Sequence, residues 1–173
     1  FYQPFGMMTD GINLYIVEYG NHKIRKLVLK TGEVTTFSGP AAGTVEPGST
    51  EGTGNDARFY YPLGITTDGP NFYVAEWGNN KIRKIVIDNG TATTFAGSGN
   101  SGSADNATGT SATFQNPMGI TTDGTNLYVA DALNHKIRKI VIDNGTVTTF
   151  AGPPAGTVES GSTDNVTPSN ARF

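Results

Sequence analysis

Three carboxylates hold the same place in a recurring segment. Glu18 opens Glu18-Tyr19-Gly20-Asn21-His22, Glu76 opens Glu76-Trp77-Gly78-Asn79-Asn80, and Asp131 opens Asp131-Ala132-Leu133-Asn134-His135. A ring of carboxylates near a common axis could hold a hard cation such as calcium, which is bound through oxygen atoms. Each acid is also followed, at one fixed spacing, by an arginine: Arg25, Arg83 or Arg138. Ion pairing inside each unit is therefore the competing use, and the recurrence of both partners favours it, so no cofactor is expected. His22 and His135, the two histidines, occupy matching positions with Asn80 between them. A zinc site needs three or four converging ligands, so a structural or surface role is expected for both, with no metal.

Other chemistry finds little support. Without cysteine there are no disulfides, thiolate metal sites or thiol nucleophiles. The serines lie in Gly-rich stretches with no Gly-x-Ser-x-Gly elbow. No Gly-rich phosphate loop joins a strand to a helix. No catalytic residue is therefore assigned. The adjacent position is more suggestive: it carries Tyr19, Trp77 and Ala132, and aromatic side chains supply contact area at low entropic cost. The candidate ligand-binding residues on this loop face are Tyr19, Trp77, Glu18, Glu76, Asp131, His22 and His135.

These segments belong to a longer repeat. Phe1-Tyr2-Gln3-Pro4-Phe5-Gly6 returns as Phe59-Tyr60-Tyr61-Pro62-Leu63-Gly64 and as Phe114-Gln115-Asn116-Pro117-Met118-Gly119, with starts 58 and 55 residues apart. Lys81-Ile82-Arg83-Lys84-Ile85 returns as Lys136-Ile137-Arg138-Lys139-Ile140. Repetition at this period is the signature of stacked units. The chain divides into units 1–58, 59–113 and 114–173, and Phe173 stands where a further unit would start.

Within the second unit the pattern predicts four short strands. The first is 64–67, ended by the Asp68-Gly69 turn signal, and the second is 71–75. The third is 81–87, followed by an Asp88-Asn89-Gly90 turn, and the fourth is 91–96, rich in β-branched residues. The run Ile85-Val86-Ile87 does not alternate, as expected for a sheet covered on both faces. Asp10, Asp68 and Asp123 precede glycine and read as turn residues. A four-stranded meander repeated along a chain predicts an all-β propeller rather than a β-sandwich, which does not need such uniform units.

The chain resembles the NHL-repeat family of β-propellers. Asn21-His22-Lys23, Asn79-Asn80-Lys81 and Asn134-His135-Lys136 match its Asn-His-Leu signature, with Lys at the third place. Pro-x-Gly-Ile, Asp-Gly, Leu-Tyr-Val-Ala-Asp, Lys-Ile-Arg-Lys-Ile and Val-Thr-Thr-Phe-Ala-Gly complete the match, which spans essentially the whole chain. The resemblance implies four-stranded antiparallel blades. Relatives of this kind serve as protein-binding, RNA-binding and sensor modules, and a few are enzymes.

Closed propellers need four or more blades, and three would leave two apolar faces bare. Three units therefore read as half of a six-bladed ring, completed by self-association or by further blades of a longer chain. The connectors alternate long, short, long, which suggests a two-unit super-repeat. The formal charge of −3 gives no reason to expect nucleic acid, and no apolar run is long enough to insert in a membrane. The leading expectation is a non-enzymatic recognition or assembly scaffold for protein or glycan. Its Thr/Gly/Asn-rich, cysteine-free connectors resemble secreted proteins and place it outside the cytoplasm, extracellular or in the cell envelope. The alternatives are a six-bladed lyase- or lactonase-type enzyme with a channel metal, and a purely structural repeat subunit.

Overall fold

The structure is a computed structural model, which describes residues 1–162 and 167–171. The comparison of Phe173 with the repeat starts lies outside the described residues. The first sheet contains β1 (Pro4–Thr9), β2 (Asn13–Glu18), β3 (Lys23–Val28) and β4 (Val34–Ser38), paired in that order. The second contains β6 (Pro62–Thr67), β7 (Asn71–Glu76), β8 (Lys81–Val86) and β9 (Thr91–Ala96), with a short fifth strand, β5 (Gly52–Thr53), on its outer edge. The third contains β10 (Pro117–Thr122), β11 (Asn126–Asp131), β12 (Lys136–Val141) and β13 (Val147–Ala151). All strand pairs within the sheets are antiparallel.

The turns close as their residues dictate. In the second blade Asp68 Oδ1 accepts the Asn71 amide at 2.8 Å, and Asp68 Oδ2 accepts the Tyr73 hydroxyl at 2.8 Å. Asp10 and Asp123 repeat this arrangement with Asn13 and Tyr15, and with Asn126 and Tyr128. The inner strand starts at Pro62, earlier than the predicted Gly64, because proline is tolerated as the first residue of an edge strand. The register then shifts between Pro62 and Ile65, a bulge that places Gly64 against the next blade.

Each sheet has two apolar faces. Tyr15, Val17 and Ile24 of the first blade form one core with Ile65, Phe72, Val74 and Ile85 of the second. On the opposite side of the second blade, Tyr73, Ala75 and Ile82 form another core with Leu127, Val129 and Ile140 of the third. The two seams therefore use equivalent residues. The corresponding outer surfaces have no blade packed on them: Met7, Leu14, Ile16 and Leu27 line an apolar hollow on the first blade, and Tyr128, Ala130 and Ile137 line one on the third.

Connectors bind the blade they lead into. Gly52 and Thr53 pair with Ala92 and Thr91, and Asn106 bridges Val147. Ala57 and Phe59 are buried in the first seam, Ala112 and Phe114 in the second. The outer strand of the second and third blades is thus covered along part of its free edge, which blunts unwanted strand pairing.

The seam is tight at its inner end. A Cβ on Gly64 would collide with the Met118 carbonyl oxygen, whereas one on Gly119 would meet only the Ala130 Cβ at 3.8 Å. Gly64→Ala is expected to cost about 1–3 kcal/mol through overpacking, and Gly119→Ala far less. Urea unfolding of the two variants measures the difference.

Candidate functional site

The loops between second and third strands are built on a buried polar cluster. Glu76 is fully buried, with its Oε2 3.1 Å from Arg83 Nη1. Its Oε1 accepts the Tyr60 amide at 2.9 Å and the Asn79 side-chain amide at 3.0 Å. Asp131 repeats the pattern with Arg138 at 2.8 Å, the Gln115 amide and Asn134. Glu18 does so with Arg25 at 3.1 Å, the Tyr2 amide and Asn21. Burial raises the Glu76 and Asp131 carboxyls above the ordinary range, and the arginine and amide donors oppose it.

This geometry corrects the placement of these acids on a ligand-facing surface. Glu18, Glu76 and Asp131 all have zero exposure and face arginines, so they are framework groups rather than a cation-binding ring. The carboxylate holds the start of the inner strand, and the arginine holds the incoming connector. Arg83 donates to the Thr50 and Arg58 carbonyls, and Arg138 to those of Ala104 and Thr113. The guanidinium groups of Arg83 and Arg138 also lie over Phe59 at 5.2 Å and Phe114 at 5.0 Å. Lysine at the third signature place serves a connector: Lys81 Nζ donates to Ser49 Oγ of the incoming one at 2.7 Å, and Lys23 and Lys136 reach the ones that leave their blades. Lys23 Nζ donates to the Ala41 and Thr44 carbonyls, and Lys136 Nζ to the Pro154 carbonyl.

Two features escaped the sequence reading. Asp105 of the middle connector reaches Arg138 at 2.7 Å and accepts the Thr149 amide. Signature residue two is a latch between blades. His22 Nδ1 accepts the Tyr61 amide of the next blade at 3.1 Å, and Asn80 Oδ1 accepts the Asn116 amide at 2.9 Å. His22, Asn80, Tyr61 and Asn116 all hold φ between 50° and 55°, a left-handed conformation fixed by these contacts. His22 is therefore buried rather than open to a ligand, and burial lowers its imidazole below the ordinary value. His135 is partly exposed on the far blade, so the two histidines do not converge.

Tyr19 and Trp77 stay at the partly exposed loop tips, and the first seam joins them into a row of rings. Tyr61 stacks on Tyr19 at 4.4 Å and 20°, stacks on Tyr60 at 4.4 Å, and meets Trp77 edge-on at 5.8 Å. Phe5, 56% exposed, extends the row from Tyr19 towards the inner strand. A hollow of about 230 Å³ lined by Pro47, Gly48 and Tyr60 opens beside it. Sequence variation at Tyr19 and Trp77 pointed to this face. The central roles of Tyr60 and Tyr61 went unseen because their partners come from two blades.

Four-stranded antiparallel sheets stacked face to face, each with its loops fixed by one buried acid–arginine pair, define β-propeller blades. No family model matches the chain. It is 33% identical over 164 residues to NHL repeat-containing protein 2 of Bos taurus, a match covering 87% of this chain and 22% of that protein. It is 30% identical over 161 residues to the Homo sapiens protein of the same name, covering 85% of this chain and 22% of that protein. The chain belongs to the NHL-repeat family, and it spans about a fifth of the length of these curated relatives. A solved Bacteroides thetaiotaomicron protein superposes with a TM-score of 0.74 at 26% identity, over 98% of this chain and 40% of that one.

Arg83→Met leaves Glu76 buried without its cation and frees two connector carbonyls. The expected cost is about 3–5 kcal/mol. Arg25→Met is expected to cost less, because Arg25 is partly exposed and serves no incoming connector among the described residues. Denaturant titration of both variants checks the order.

Proposed function

We propose that this chain is a non-enzymatic recognition scaffold that binds protein or glycan through the aromatic row on the loop face of its first seam. One observation carries the reading: the blade fold does not require those rings. The second seam forms the same latch, the same acid–arginine pair and the Leu133-to-Gln115 counterpart of the Gly78-to-Tyr60 loop bond, with Gln115, Asn116 and Ala132 in place of Tyr60, Tyr61 and Trp77. Rigid frames with differing loop tips are a common way to build binding surfaces. The fixed charges beneath the row are engaged by one another, which favours an uncharged aromatic or sugar-ring contact over ionic attraction. The composition and cysteine-free connectors suit a place outside the cytoplasm.

Binding is tested with arrays of glycans and of extracellular protein domains, probed with the wild type and with Tyr19→Ala/Trp77→Ala. A specific hit weakened at least tenfold in the double variant, with the far-UV spectrum unchanged, is the expected result. Unchanged binding by the double variant overturns the assignment to this face.

The bare faces bear on how the scaffold is completed. The third blade offers Tyr128, Ala130 and Ile137 where the second offers Tyr73, Ala75 and Ile82, and the first offers Leu14, Ile16 and Leu27 where the third offers Leu127, Val129 and Ile140. Blades of the same kind, from a second copy or a longer chain, complete both faces in the register already used inside the molecule. For the 173-residue chain alone, light scattering is expected to give at least twice the 18.2 kDa chain mass. A stable, concentration-independent 18.2 kDa species contradicts the need for added blades.

A further inference from the structure

We infer that His22 makes the aromatic row responsive to pH: protonation at Nδ1 removes the acceptor of the Tyr61 amide and loosens the first seam at its loop face. The inference rests on the recognition reading for its purpose, though not for its geometry. In the closed seam Nδ1 must carry a lone pair, so the imidazole is neutral with its proton on Nε2. A proton on Nδ1 would turn the acceptor into a donor pointed at another donor. Tyr61 cannot compensate easily. Its φ of 50° is unfavourable for a bulky residue and persists only while its surroundings hold it. Its ring contacts Tyr19, Tyr60, His22 and Trp77, so displacement disturbs the whole row.

The groups around the imidazole do not supply a counter-charge. The rings facing it are those of Tyr60 at 5.5 Å and Tyr61 at 4.8 Å. On its own blade, Glu18 is paired with Arg25, and the neighbouring Lys23 ammonium is held by the Ala41 and Thr44 carbonyls. Across the seam Glu76 is paired with Arg83. The sign follows from burial, which disfavours the imidazolium. Above about pH 7.5 the imidazole is neutral whether the seam is open or closed, and closure is unaffected. As pH falls through the ordinary histidine value near 6.5, the open seam takes up a proton that the closed seam resists, so closure weakens.

The molecule contains its own control. At the second seam Asn80 Oδ1 performs the same task on the Asn116 amide and does not titrate. Trp77, the sole tryptophan, lies edge-on to Tyr61 and donates its amide to the Tyr61 carbonyl at 3.0 Å, so its fluorescence reports the row without any ligand. Fluorescence of the intact chain is followed from pH 8 to 5, with the far-UV spectrum monitoring the fold. The wild type is expected to show a reversible red shift centred below pH 6.5. His22→Asn, which copies the second seam, is expected to lose it, while His135→Asn keeps it. Asn80→His added to His22→Asn is expected to bring back a pH response through the second seam, where Asn116 also binds the Trp77 carbonyl. A flat wild-type profile overturns the inference. So does an unchanged transition in His22→Asn, which would assign it to a buried acid such as Glu76. Failure of the array experiment would leave this ligand-free titration intact, so the two readings fail separately.

Discussion

Burial of sheet faces is the constraint from which the architecture follows. A single four-stranded sheet has little interior of its own, and its apolar side chains point from both faces. Val74 and Ile85 can leave water only against the first blade, and Tyr73 and Ile82 only against the third. At about 25 cal/mol per Å² of apolar surface removed from water, covering such faces is the dominant favourable contribution available to a blade. Uniform repeats then arise because every blade must present the same two complementary surfaces.

Polar chemistry adds direction to this non-directional attraction. The Glu76–Arg83 and Asp131–Arg138 pairs each sit at one end of a seam and hold two otherwise separate pieces of backbone. A buried ion pair is weak evidence for added stability when compared with apolar packing. Its value here is positional: the carboxylate anchors Tyr60 or Gln115, and the arginine anchors connector carbonyls. The result is a loop face whose backbone is fixed, so side chains at Tyr19 and Trp77 can differ from their counterparts without disturbing the frame. His22 joins the two levels, since one imidazole both closes the seam and touches the ring row.

Much of this was legible in the chain itself. Strand alternation, Asp-Gly turns and the fixed acid-to-arginine spacing are local signals, and the corresponding strands, turns and pairs occur in the structure. The strand ends differed where tertiary contacts decide. Pro62 joins β6 because the inner strand tolerates a bulge, and Ile87 leaves β8 because its amide turns to the Pro70 carbonyl. Non-local features were hidden. Nothing within the sequence near Gly52 announces pairing with Ala92, and nothing near Tyr61 announces that its amide belongs to His22. The acids were misplaced on the surface for a related reason: spacing named their partner but did not show that connectors would roof both groups.

The central claim is that a blade is not a folding unit without neighbours. It is tested most directly by a peptide of residues 48–97, which carries the second blade with its incoming connector, followed by far-UV circular dichroism during heating at low micromolar concentration. The expected result is an unfolded spectrum without a cooperative transition. A monomeric β-sheet spectrum that melts cooperatively would contradict the account.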